Sequence, residues 1–339
     1  MNIYLAIFCL AFGFVFLVKG ADWFVDGASG LAAKLRVPAI IIGLTVVSFG
    51  TSAPELATSV ISSAQGSADI AVGNVIGSNI TNILLILGLA AVICPLTVQK
   101  STLQLDFFVL IGSSVLLLLL GAFDNAIGRV DGWIMFILSL VYMVFLVWYA
   151  IRESKKGGTM SELNDHEVLS SENETPSKGF NGWYEKMKDR TWFLVVIMIV
   201  GLALVVVGAM YGVIPGAKYI ATKIGISEKI IGLTVVAIGT SLPELVTCVI
   251  AAKKGETDIA VGDIVGSNIF NIIRTLGLSA AILPLPFASS FIIDGSIALA
   301  AALLLVILGY LKGHKIRRWG GIVMLCGFVA YYVYLFALA

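Results

Sequence analysis

Charge is what this sequence has least of. Aspartate, glutamate, lysine and arginine make up 13% of its 339 residues, about half the share usual in soluble proteins. With 59% hydrophobic residues and a mean hydropathy of +1.00, the chain has more apolar surface than a soluble domain buries. Histidine occurs twice, as His166 and His314, outside the hydrophobic runs. No His-Glu-x-x-His pattern exists, which argues against a membrane-embedded enzyme. Cys9, Cys94, Cys248 and Cys326 stand singly in apolar segments. They fit neither a disulfide framework nor a metal cluster and read as small buried hydrophobes. Met1-Asn2 lacks the basic flank of a secretory signal, and the apolar run that follows outlasts such a signal's core. The alternating ten-residue segments of a transmembrane β-barrel are missing as well. A net charge of +1 says nothing about partners; no nucleic acid and no obligate protein partner is expected, only the lipid bilayer.

These exclusions leave an all-α polytopic membrane protein. Runs of about 19–27 residues are each long enough to cross roughly 30 Å of hydrocarbon as a helix. Ten are expected: 2–28, 38–64, 68–93, 103–121, 130–151, 191–215, 227–252, 257–283, 289–311 and 317–338. Residues 152–190 are the one long polar interruption, with Gly157-Gly158, Pro176 and mixed charges, and read as a mobile linker. The chain thus divides into a first five-helix half (1–151), the linker, and a second five-helix half (191–339).

The halves are copies. At an offset of 189 residues, about three in five positions from Ile41 to Leu96 recur in the second half. Ile42–Val47 returns as Ile231–Val236, Asp69–Gly73 as Asp258–Gly262, and Gly77–Ile80 as Gly266–Ile269. Five spans per half send the second copy in from the opposite face, an inverted repeat of the kind found in secondary transporters. Basic residues set the orientation. Lys34, Arg36, Lys100, Lys253, Lys254, Lys312, Lys315, Arg317 and Arg318 fall on the linker's side, against Arg129, Lys218, Lys223 and Lys229 on the other. The linker is therefore expected in the cytoplasm and both termini outside.

One stretch is written twice inside these runs: Gly50-Thr51-Ser52-Ala53-Pro54-Glu55 and Gly239-Thr240-Ser241-Leu242-Pro243-Glu244. Each copy puts an acid among apolar residues, at a cost of roughly 2.5–3.5 kcal/mol or more. Each also puts a proline just before it, which breaks a helix and frees carbonyls upstream. Such carbonyls survive at membrane depth only when buried in protein or facing a polar cavity. The expected result is a cluster of hard oxygens: carbonyls near Ser48 and Thr51, the hydroxyls of Thr51 and Ser52, and the Glu55 carboxylate. The second copy adds the Ala237 carbonyl, Thr240, Ser241 and Glu244. Oxygen ligands suit Na+, Ca2+ or Mg2+, and dehydrating carbonyls and hydroxyls favour Ca2+ over Mg2+. Two carboxylates neutralise one Ca2+ or are filled by monovalent ions instead, so competing loads share one site. Ser78 and Asn82, and again Ser267 and Asn271, share a helix face at i, i+4. Gly73, Gly77, Gly262 and Gly266 supply the small-residue spacing of close helix packing.

The paired Gly-Thr-Ser-x-Pro-Glu and Gly-Ser-Asn-Ile motifs resemble the alpha repeats of the sodium/calcium exchanger family, within the cation/calcium antiporter superfamily. The likeness runs over the whole membrane domain in order and spacing. It implies ten helices in two inverted halves, the first and sixth sliding across the rest to alternate access. It implies a prokaryotic plasma-membrane antiporter exchanging Na+ for Ca2+, not an enzyme, with the ions as cargo and no cofactor. Glu55 and Glu244 would be the central ligands, and Thr51, Ser52, Thr240, Ser241, Ser78, Ser267, Asn82 and Asn271 would complete the sites.

Three positions depart from the pattern. Asn271 stands where potassium-dependent members carry aspartate, leaving two nearby acids. Asp263 replaces Asn74 of the first copy. Arg274 replaces Leu85 and lies on the face of Ser267 and Asn271. It is expected either to pair with a glutamate and weaken cation loading, or to snorkel to the outer interface. A proton/calcium exchanger of the same superfamily is the alternative, and a cation channel a more distant one. Hydroxyl and carbonyl ligands add nothing to proton binding and favour Na+. Among the remaining charges, Lys19, Asp22 and Asp26 are expected to snorkel or pair, and Asp69 and Asp258 to sit favourably at helix N-termini.

Overall fold

The apolar runs fold into a helical bundle in a computed structural model, which describes residues 2–66, 68–99, 102–155, 187, 190–223, 237–311 and 313–338. In chain order the helices are α1 (Ile3–Leu35), α2 (Ala39–Thr51), α3 (Ala53–Ala64), α4 (Ala68–Ile93), α5 (Gln104–Phe123), α6 (Arg129–Lys155), α7 (Thr191–Ala217), α8 (Ala237–Thr240), α9 (Leu242–Lys253), α10 (Thr257–Ile282), α11 (Ser289–Tyr310) and α12 (Arg318–Leu338). Eight are long and apolar enough to cross a membrane. The pair α2 and α3 passes the same test together but is bent by 46° at its break, so eight or nine spans are present among the described residues. The expected span 227–252 lies partly outside the described residues, as does nearly all of the segment 152–190.

α1 is longer than expected because its ends are well specified. Asn2 Oδ1 accepts the Leu5 amide at 2.7 Å, a capping bond. The helix runs on to Arg36, whose left-handed backbone (φ 53°) ends it before Pro38. Along its length α1 packs on α7 through a seam of glycines. A Cβ at Gly20 would stand 2.7 Å from the Gly201 carbonyl, and one at Gly13 would stand 2.8 Å from that of Gly208. Backbones approach this closely only where side chains are missing, so the first helices of the two halves form one body.

α4 and α10 occupy the middle. The most apolar stretch of α10 is entirely buried, which explains how it carries an aspartate, two asparagines and an arginine away from lipid. α10 meets α2 at Gly262 and Gly266: a Cβ there would come within 2.6 Å of the Ile40 carbonyl and of Ser48 Oγ. Among the described residues a Cβ at the matching Gly73 would meet only Phe291, at 3.8 Å, and one at Gly77 would meet nothing within 4 Å.

Outward faces of the bundle stay apolar. Phe8, Leu119, Val144, Ile199 and Val329 are more than half exposed, and apolar surface on this scale is stable only against lipid. The chain is an integral membrane protein. Of the four cysteines only Cys248 is buried, and Cys326 is exposed on α12; its apolar character, rather than burial, suits that lipid-facing position.

At each end of the bundle a short antiparallel ribbon ties the halves together. Leu96 pairs with Ile316 at one end, and Ile127 with Leu285 at the other. The chain at Leu96–Val98 and that at His314–Ile316, on loops expected to share a face, are thus neighbours. Near α1's C-terminal half, Lys254 Nζ bridges Asp22 (2.7 Å) and Asp26 (2.6 Å), the pairing expected for those acids.

Candidate cation-binding site

Each glutamate owes its position to the broken segment before it. Gly43–Val47 form a wider, π-helical turn that leads into Ser48–Thr51. Ser52 then leaves helical geometry (φ −81°, ψ 10°) and α3 starts. Pro54 lies in the first turn of α3, where an amide has no intrahelical acceptor and its loss costs nothing. The proline thus opens a new helix at the expected break, where the segment bends by 46°. The Ser48 carbonyl is not freed as expected, since it accepts the Ser52 amide at 3.1 Å. Pro243 starts α9 in the same way after Ser241. Glu55 and Glu244 consequently stand in first helical turns, where the helix dipole favours a carboxylate. Both are fully buried.

The contacts between the copies are reciprocal. Ser52 Oγ donates to Glu244 Oε1 at 3.0 Å, and Ser241 Oγ donates to Glu55 Oε1 at 3.2 Å. Ser52 Oγ also lies 2.9 Å from Ser267 Oγ, and Ser241 Oγ 3.4 Å from Ser78 Oγ. Thr51 Oγ1 donates to Asp263 Oδ1 at 2.9 Å, while Thr240 Oγ1 lies 3.4 Å from Asn74 Oδ1.

α4 and α10 cross with the same reciprocity. Asn79 Nδ2 donates to the Asn268 carbonyl (3.1 Å), and Asn268 Nδ2 to that of Asn79 (3.4 Å). Asn82 Nδ2 donates to Asn268 Oδ1 (3.1 Å), and Asn271 Nδ2 to Asn79 Oδ1 (3.2 Å). Both helices widen into π-helical turns from Thr81 and from Asn271, a feature common at functional sites.

Among the described residues no donor reaches the buried acceptors Glu55 Oε2, Glu244 Oε2, Asn82 Oδ1, Asn271 Oδ1 and Asp263 Oδ2. Buried oxygens are nearly always satisfied, and acceptors crowded together are satisfied by a cation. Among the described residues no three His, Cys, Asp or Glu side chains converge on a metal position by themselves. A cation here must therefore draw on hydroxyls, amides and carbonyls beside the two glutamates, which fits Na+ or Ca2+ and not a softer metal.

These bonds gather the predicted residues into groups: Ser52, Glu244 and Ser267; Ser241, Glu55 and Ser78; Thr51 with Asp263; Thr240 with Asn74; and Asn82 and Asn271 with Asn268 and Asn79. Ser48 stands aside, its hydroxyl donating to the Leu44 carbonyl at 2.8 Å. Ala237 begins α8, and the residues before it lie outside the described ones. Asn79, Asn268, Asn74 and Asp263 are members that the spacing argument passes over. Asp263 makes a third buried acid where two were expected. Arg274 neither hydrogen-bonds a glutamate nor snorkels. It is 5% exposed, its nitrogens have no hydrogen-bond partner among the described residues, and it lies against Phe49 and Phe270.

A family model described as sodium/calcium exchanger protein matches residues 5–148 and 193–337. The putative antiporter CaxA of Alkalimonas amylolytica is 38% identical over 331 residues, covering 96% of this chain and 97% of CaxA. The sodium/calcium exchanger MaX1 of Methanosarcina acetivorans is 35% identical over 353 residues, covering 96% and 97%. A solved structure of the sodium-calcium exchanger NCX_Mj, soaked with Na+ and Ca2+, superposes with a TM-score of 0.79 at 32% identity, covering 97% of this chain and 98% of that one.

Proposed function

The chain belongs to the sodium/calcium exchanger family, and from that premise we propose that it is a secondary active antiporter exchanging Na+ for Ca2+ by alternating access. The observation that carries this reading is the set of buried, donorless oxygens around Glu55 and Glu244. Ca2+ binds between the two carboxylates, with Ser52, Ser241, Ser78, Ser267, Asn82 and Asn271 completing its shell. Na+ ions take the same oxygens, with Thr51, Thr240 and the carbonyls of Ser48 and Ala237. The Ser48 carbonyl keeps a second lone pair for this purpose.

The membrane arrangement belongs to the same reading: ten spans in two inverted halves, 1–151 and 191–339, joined through a cytoplasmic linker at 152–190, with both termini outside a prokaryotic plasma membrane. The reciprocal bonds between the copies support the inverted repeat, because each recurs when both partners are shifted by the repeat offset. α1 and α7, joined along their glycine seam, move together across the rest. The protein needs no cofactor and catalyses no covalent step.

The test is radioactive Ca2+ uptake into proteoliposomes loaded with Na+, beside K+-loaded and pH-gradient controls. Uptake is expected to require the outward Na+ gradient. Glu55→Gln and Glu244→Gln each remove a charged ligand from a desolvated site, at about 3 kcal/mol or more, and should weaken apparent Ca2+ affinity roughly 100-fold. Uptake driven by the pH gradient alone would assign proton coupling instead. Uptake that survives both substitutions would refute the site.

A further inference from the structure

Arg274 is a buried charge that the exchange reaction does not obviously need. It follows Asn271 by three residues on α10, with a side chain 5% exposed. Its Nε, Nη1 and Nη2 have no acceptor among the described residues. Yet Glu55 and Glu244, each with one oxygen lacking a donor, lie within its Coulombic reach. Orphaned donors and orphaned acceptors share one interior and stay apart.

Two rings account for the separation. The guanidinium carbon lies 4.2 Å from the centroid of Phe49 and 5.3 Å from that of Phe270. A ring face attracts a cation without supplying a hydrogen-bond acceptor, so the charge is held beside the carboxylates without capping them. The repeat shows that this holder is specific. The positions equivalent to Arg274, Phe49 and Phe270 are Leu85, Ile238 and Thr81, which have neither the charge nor either ring. The arginine and both rings that carry it are found on one side of the paired site only.

We propose that Arg274 is a tethered cation of the transport site, standing in for one monovalent ion that Glu55 and Glu244 would otherwise load, and so setting the coupling ratio. The proposal rests on the reading of these glutamates as ion ligands. A divalent ion sits between two carboxylates whether or not a further charge flanks them. Monovalent ions must spread over more positions, and the guanidinium fills one of those. Fewer transported monovalent ions are therefore exchanged for each Ca2+.

The experiment uses the full chain in proteoliposomes and reads the membrane potential at which Ca2+ flux reverses under fixed ion gradients, which gives the monovalent ions moved per Ca2+. Arg274→Leu and Arg274→Gln are expected to raise that ratio by one over the unmodified protein, and Arg274→Lys to keep it unchanged. A merely structural arginine would alter rate or yield and leave the ratio alone; an unchanged ratio in the Leu and Gln variants overturns the proposal. Should those variants carry no Ca2+, equilibrium binding of radioactive Na+ to the purified proteins decides. One extra ion per chain supports the proposal, and an equal or smaller number overturns it. Uptake by the unmodified protein is measured first. No uptake removes the ion-site reading and this proposal together, whereas uptake with an unchanged ratio removes this proposal alone. If a pH gradient alone drives uptake, the ratio is counted in protons.

Discussion

Glu55 and Glu244 receive the same kind of bond from each other's repeat, a serine hydroxyl at 3.2 Å and 3.0 Å, yet what flanks them differs. Around the first copy stand Asn74 and Leu85, both uncharged. At the matching positions of the second stand Asp263 and Arg274, both buried. The two additions lie on one helix, α10, eleven positions apart, and their formal charges cancel. The ligands follow a twofold rule and the charges do not. Placing a cation requires both copies to agree; adjusting how strongly or how many cations load requires a change in only one.

Three measurements would break or sharpen that contrast. The largest effect is expected from Asp263→Asn, which makes the second copy like the first. Removing a carboxylate near a desolvated cation should weaken apparent Ca2+ affinity about tenfold, or roughly 1.4 kcal/mol. Unchanged affinity in the uptake assay would place Asp263 outside the ion's field. Next comes the symmetry itself. Ser52→Ala and Ser241→Ala each remove one uncharged oxygen from the proposed Ca2+ shell, and each should weaken Ca2+ by roughly fivefold, about 1 kcal/mol. A gap of more than about tenfold between the two would show that reciprocal geometry does not mean equal energy. The smallest change belongs to Lys254→Ala, whose ion pairs with Asp22 and Asp26 are partly exposed. Thermal unfolding in detergent should register under about 1 kcal/mol, and a larger loss would mean that this contact joins α1 to α9 more firmly than its exposure suggests.

Much of this was legible in the chain. The acids, the prolines beside them and the copy at fixed offset all stand out against apolar surroundings, because an intramembrane charge is costly and rarely accidental. Asn79 and Asn268 were not legible, for a definite reason. The i, i+4 argument that selects Ser78 and Asn82 assumes a regular helix, whereas both α4 and α10 widen just after these asparagines and turn them toward each other. The break expected at the proline is there, with a 46° bend, but the proline stands in the first turn of the new helix, and the carbonyl expected to be free at Ser48 accepts the Ser52 amide. Asp263 depends on a contact with Thr51 across 212 residues of sequence, which no spacing rule foresees. Arg274 was visible as an oddity, but its resting place needed two rings from separate helices.

The crossed serines also bear on how the protein can be assembled. Each glutamate takes its hydroxyl from the other copy, so a half alone would bury an acid with nothing to receive it. Neither half is then a folding unit in its own right at the site, and the two must be present together before either carboxylate is housed. Two copies of a single half, related by a twofold axis, would satisfy the same bonds. What two identical copies could not do is differ from one another, and joining them in one polypeptide is what allowed α10 to take on an aspartate and an arginine that α4 does not have.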